Sequence, residues 1–122
     1  MKHDGYELKF SINNYHIDGS TYVGALVMEN GNPVDLYADV TICVPHATLG
    51  GEEVVLDVED EKKLIDAMVE EGLLVITPRI GLRAEHCNYP IGKLTKKFFN
   101  EVYGDKVKAY EIVFSHELRD EY

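Results

Sequence analysis

The sequence predicts an α+β fold: a single domain spanning residues 1–122, with an antiparallel sheet of about five strands and two helices packed on it. Three observations predict it. Through residues 8–44 apolar side chains largely alternate with polar ones, the period of half-buried strands. Two later stretches space their apolar residues three or four apart and stop at a glycine, the period and ending of amphipathic helices. Short β-branched runs lie between and after them.

The elements follow in order. Leu8, Phe10 and Ile12 alternate with Glu7, Lys9, Ser11 and Asn13 and make the first strand. Thr21 to Met28 is apolar on both parities, so this strand is expected to be covered on both faces. Asn30-Gly31 leads to the next strand, because both residue types accept the positive φ of a tight hairpin turn. There Val34, Leu36, Ala38, Val40, Ile42 and Val44 face one way, towards the expected core, and Asp35, Tyr37, Asp39, Thr41 and Cys43 the other. Pro45-His46 and Gly50-Gly51 mark a loop, and Val54 to Leu56 is a short extended segment.

A helix opens at Asp57 or Glu59, buries Leu64, Ile65 and Met68, and ends at Gly72. Leu73 to Thr77 reads as a strand stopped by Pro78, and Arg79 to Asn88, without a clean period, as an exposed loop. The second helix is expected over Lys93 to Tyr103, on the stripe Leu94, Phe98 and Val102. Val107 to Phe114 is the last strand, and His116 to Tyr122 a frayed tail.

Charge is the most uneven property of the chain. Residues 29–71 hold twelve acids against two bases, Lys62 and Lys63, and so account for the whole net charge of −10. Such a surface repels nucleic acid and anionic membranes and suits a basic protein partner, although acidity also serves solubility alone. The start MKHDGYELKF has no apolar signal core, and no apolar run reaches membrane-spanning length. The expected setting is cytoplasmic and reduced.

No catalytic constellation stands out. No serine sits in a G-x-S-x-G elbow, and Gly50-Gly51 is not followed by P-loop residues. Cys43, His46, His86 and Cys87 are four zinc-type donors, but adjacent His86 and Cys87 point apart in an extended chain, so packed thiols without metal are expected. The eight tyrosines lie mostly on strands, where aromatics belong, rather than forming a platform for bases. Arg79, Arg83, Lys93, Lys96 and Lys97 form a local basic patch, which suits a phosphate, a dimer mate's acidic helix, or plain solubility.

The run GNPVDLYADVTICVP at 31–45, Val55-Leu56-Asp57, Glu71-Gly72-Leu73, Thr77 and Cys87-Asn88-Tyr89-Pro90 resemble a small bacterial family of unknown function, typically encoded on conjugative elements and phages. The loop 79–86 departs from that family's Gly- and Ser-rich pattern. The resemblance brings no catalytic residues to carry over, and no cofactor is expected. It implies a setting in which small acidic proteins block host restriction or CRISPR machinery.

The expected function is therefore a non-catalytic inhibitor that binds a basic, nucleic-acid-handling host protein. Its contact residues are Glu59, Glu61, Asp66 and Glu70 on the outer face of the first helix, with Glu53 beside them. Two alternatives are a nucleotide-signal binder using Arg79, Arg83 and His86, and a structural protein of a conjugative element. Pairing of two copies is compatible with each.

Overall fold

The computed structural model describes residues 1–44, 49–78, 82–84 and 87–104, with the backbone alone for 82–84 and 87. The expected strand Val107–Phe114, the tail, Pro45-His46, Arg79 and His86 lie outside the described residues.

Four antiparallel strands come first: β1 (Lys2–His3), β2 (Tyr6–Asn14), β3 (Thr21–Glu29) and β4 (Asn32–Asp39), adjacent in that order. Two-residue turns join β1 to β2 and β3 to β4. Asp4 and Gly5 have φ of 50° and 83°, Asn30 and Gly31 of 53° and 80°. Positive φ at both central residues matches the turn to the right-handed twist of the strands. The Asp4-Gly5 pair carries the same signal as Asn30-Gly31, but the strand before it is too short to show any alternation.

β2 and β3 stay in register from Glu7 opposite Met28 to Asn14 opposite Thr21, which buries Leu8, Phe10, Val23 and Ala25. β4 departs from its expected alternation. Ala38 faces Ala25, yet Leu36 faces Leu26; Asp35 faces Val27, yet Pro33 faces Met28. Tyr37 and Val34 are thus extra residues, and each bulge reverses the side to which the following residues point. Val34 and Leu36, expected in the core, are 52% and 51% exposed, while Tyr37 turns inward and packs against the core. Ala38 and Val40 are buried as expected, and Ile42 and Val44 are half-buried.

After Asp39 the chain changes sheets. The Val40 N–H still donates to Val23 (2.9 Å), but the Ile42 N–H donates to Val55 (3.0 Å), and Thr41 bridges Leu56. Thr41 is buried with its hydroxyl satisfied, accepting from the Val23 N–H (3.2 Å) and bonded to the Tyr15 hydroxyl (2.9 Å). The second sheet has the order β5 (Glu53–Val55), β9 (Ile91–Leu94), β6 (Leu74–Ile76). A further hairpin, β7 (Leu82–Ala84) with β8 (Cys87–Tyr89), occupies part of the stretch expected as loop.

Helix α1 (Val58–Glu70) is capped by the Asp57 carboxylate, which accepts from the Asp60 N–H (3.3 Å). It closes in a Schellman motif: the Gly72 N–H donates to Val69 and the Leu73 N–H to Met68, both at 3.0 Å. Leu64, Ile65 and Met68 are its buried residues, as the periodicity predicts.

Helix α2 (Lys96–Tyr103) starts three residues later than expected. Leu94 belongs to β9, and Thr95 caps the helix by accepting from the Phe98 N–H (3.2 Å). The reason lies in the middle of the second sheet, where a Cβ on Gly92 would stand 2.7 Å from Leu56 and 2.9 Å from Leu74. Only a glycine strand lets those leucines close over it. Gly92→Ala is expected to destabilise the protein by about 1–3 kcal/mol in urea unfolding, through overpacking. An unchanged midpoint would mean that the two leucines move aside freely.

One hydrophobic cluster draws on both sheets and both helices, joining Phe10, Val23, Leu56, Leu64, Met68, Leu74 and Phe98. Among the described residues no helix is long and apolar enough to cross a membrane.

Candidate functional site

The five acids expected to share one face do not share it. Successive helical residues rotate by about 100°, so Glu59, Asp66 and Glu70 fall within about 40° of one another and Glu61 lies roughly opposite. Glu61 is half-buried, at a point where α1 departs from helical geometry (φ −124°, ψ 28°). Glu53, Glu59 and Asp66 carry internal tasks, and Glu70 is exposed. The Glu53 carboxylate accepts from the Gly50 N–H (2.6 Å), closing the turn before β5. Glu59 accepts from the buried Tyr89 hydroxyl (2.8 Å), and Asp66 pairs with Lys62 (2.9 Å).

The acids converge instead around the first turn of α1. A cleft of about 360 Å³ opens there against the β1–β2 turn and β4, with His3, Asp4, Tyr37, Asp60 and Glu61 among its lining. Burial pushes the Glu61 carboxyl above its ordinary range, and the charges of Asp57, Asp60 and Asp39 push it further, against a small opposing effect of His3. Asp57 is raised too, first by burial and then by Asp60, Glu59 and Asp39, while the Asp60 N–H holds it down. The fold therefore keeps carboxylates together that repel one another.

A pH dependence follows. Asp57 and Glu61 bind protons more tightly in the folded chain than in the unfolded one. Stability is therefore expected to rise as pH falls from neutral through their raised range, and to stop rising below the ordinary carboxylate range. Urea midpoints across mild acid check this. Glu61→Gln should flatten the rise, and a midpoint that falls steadily from neutrality would contradict it.

A scan against protein-family models, a search of curated proteins and a search of solved structures found no match. The resemblance therefore rests on the short runs that carry it in the sequence, Cys87-Asn88-Tyr89-Pro90 among them, and the site is argued from its chemistry.

The remaining candidates are occupied or lie elsewhere. Burial and the charge of Asp18 raise the Cys43 thiol, which disfavours the nucleophilic thiolate. Among the described residues no three or more His, Cys, Asp or Glu are placed to hold a metal ion. His46 and His86 lie outside the described residues, as does the Cys87 side chain. Of the alternative ligand set, Arg79 and His86 fall outside as well, and Arg83 is described in backbone only, on β7.

Two members of the basic patch are paired within the chain. Lys93 pairs with Glu52 (3.5 Å), and Lys97 with the carboxylate (4.0 Å) and carbonyl (2.5 Å) of Glu71, at the C-terminal end of α1. Lys97 sits where the negative end of the helix dipole favours it. Two strand tyrosine hydroxyls are likewise engaged: Tyr22 donates to Asp39 (2.6 Å) and Tyr37 to Asp4 (3.1 Å).

Sequence reasoning passes over His3, Asp4 and Tyr37. The Asp4-Gly5 turn signal could have brought the first two to this end of the sheet. Nothing local announces the bulge that turns Tyr37 inward.

Proposed function

We propose that this chain is a non-catalytic acidic binding protein, which docks a basic, nucleic-acid-handling protein at the pole where α1 begins. The observation that carries the reading is the meeting of Asp4, Glu59, Asp60 and Glu61 in one cleft beside Lys62 and Lys63, with Asp57 and Glu61 both pushed up by burial and by like charge, that of Asp39 included. Keeping repelling carboxylates together costs stability, and a cationic partner relieves that cost. Stability given up in this way is characteristic of binding surfaces rather than of solubilising ones. In the mobile-element setting that the resemblance implies, the partner belongs to host restriction or CRISPR machinery, and docking competes with its nucleic acid.

The test is calorimetric titration of the protein with an arginine- and lysine-rich peptide at low and moderate salt. Binding should weaken steeply with salt, because the interacting charges are screened. Absence of binding at low salt would leave the acidic pole as a solubility feature.

A further inference from the structure

We propose that a cleft between the first sheet and the end of α2 binds a medium-chain carboxylate, its head held by Lys9 and the Tyr103 hydroxyl and its tail laid over Leu26 and Met28. The proposal concerns a small ligand and goes beyond the acidic pole and the partner docked there.

The starting point is a hydroxyl with nothing to bond. The Tyr103 Oη is buried and has no hydrogen-bond partner among the described residues. Such an atom is uncommon in a folded chain, because hiding a polar group from water without replacing its bond costs free energy. Burial raises the Tyr103 pKa, so the group keeps its proton and remains a donor without an acceptor. Tyr103 is the last residue of α2, and with Val102, Leu26, Met28 and Pro33 it lines a cleft of about 330 Å³.

The register explains why this cleft is largely apolar. Lys9 lies opposite Leu26 and Leu26 opposite Leu36, while Met28 lies opposite Pro33. Partners across an antiparallel pair share a face, so these residues stand on the side of the sheet away from the buried Phe10. Leu26 and Met28 are half-buried, and Leu36 at 51% exposure continues the apolar surface to β4.

Charge selects the ligand. Among the described residues that line the cleft, Lys9 alone is charged, in a chain of net charge −10. Lys9 makes no ion pair among the described residues. Glu7, on the same face of β2, is paired with the N-terminal ammonium at 3.5 Å. An adjoining cleft of about 460 Å³ shares Lys9 and Met28 but is lined by Glu7 and Glu101, which repel an anion and leave its head on the Tyr103 side. A carboxylate has lone pairs for an ammonium and a phenol O–H at once. Aliphatic and thioether walls suit an unbranched chain, and the volume is at the small end of ligand-sized cavities.

The experiment is an NMR titration of the full chain with octanoate, octylammonium and propionate, following the Met28 methyl and Tyr103 ring resonances. Octanoate should shift both in a saturable way, with a Kd on the order of 0.1–1 mM for so small a ligand. Octylammonium, which Lys9 repels and which brings Tyr103 no acceptor, should bind at least about tenfold more weakly, and propionate, with almost no tail, not measurably. Tyr103→Phe should weaken octanoate about tenfold, the worth of one charge-assisted hydrogen bond. Its urea midpoint without ligand should hold or rise, because the hydroxyl it removes has no partner. Lys9→Met, which keeps the stem and drops the charge, should weaken octanoate several-fold, and Glu70→Gln, which lines neither cleft, should leave it unchanged. No saturable shift with octanoate, or equal affinity for octanoate and octylammonium, overturns the proposal. So does undiminished octanoate binding in a folded Tyr103→Phe variant, or a lowered urea midpoint for it, which would show the hydroxyl already satisfied.

Discussion

Phe98→Ala is expected to cost about 3–5 kcal/mol of unfolding free energy, the largest single effect foreseen here. Phe98 is the one fully buried residue of α2. Its ring packs on Phe10 of β2 at 5.6 Å and on Phe99 at 5.7 Å. A helix of eight residues has too few turns to be stable alone, so its place depends on this contact. Truncation removes the transfer free energy of the ring and leaves a cavity that the two-sheet core fills only in part. Phe98→Leu, which keeps most of the volume, should lose much less. Urea unfolding followed by circular dichroism measures both. A loss below about 1 kcal/mol for the alanine variant would show that α2 is not part of the cooperative core.

The second large effect concerns charge. Asp60→Asn combined with Glu61→Gln is expected to weaken binding of an arginine- and lysine-rich peptide about ten- to hundredfold at low salt, as two countercharges, one of them half-buried, are lost. Folding stability should hold or rise, because Glu61 is raised by burial and by the charges around it, and neutral amides escape both. The matching outer-face change, Asp66→Asn with Glu70→Gln, should do much less: Asp66 is already paired with Lys62 at 2.9 Å, and exposed charges are screened. Calorimetric titration of both variants, with urea midpoints beside it, separates the two faces. A larger loss for the outer pair would move the contact surface to the exposed side of α1. A drop in stability for the inner pair would mean that those carboxylates hold the fold rather than a partner.

How much of this was legible in the residues depends on the range over which each feature is decided. The Asn30-Gly31 turn was legible because two consecutive residues accept positive φ and the register follows from them. The buried stripe of α1, its acidic opening at Asp57 and its end at Gly72 were legible for the same reason, since caps and periodicity are set within a few residues. The antiparallel sheets and two helices of an α+β fold follow from such local signals taken together.

What misled was alternation carried too far. Val34 and Leu36 continue the pattern of Ala38 and Val40 without a break, yet they face outward. The bulges at Val34 and Tyr37 come from the curl of β4 around β3 and its hand-over to β5, and the residues of β4 do not encode β5. In the same way Leu94 has helical spacing to Phe98 and Val102, but Gly92 between Leu56 and Leu74 makes that stretch a central strand.

The candidate site divides along the same line. By itself the sequence determined that the negative charge is concentrated in residues 29–71, that a helix opens there on acids, and that Leu64, Ile65 and Met68 are the side it buries. Only the tertiary structure decided where that charge is put to use. It tied Glu53 and Glu59 into internal hydrogen bonds and brought His3, Asp4 and Tyr37 to the first turn of α1. The physical reason is that charge is a sum over residues, whereas a binding cleft is a set of distances between segments remote in the chain. Those distances are settled by the packing of two sheets against one core.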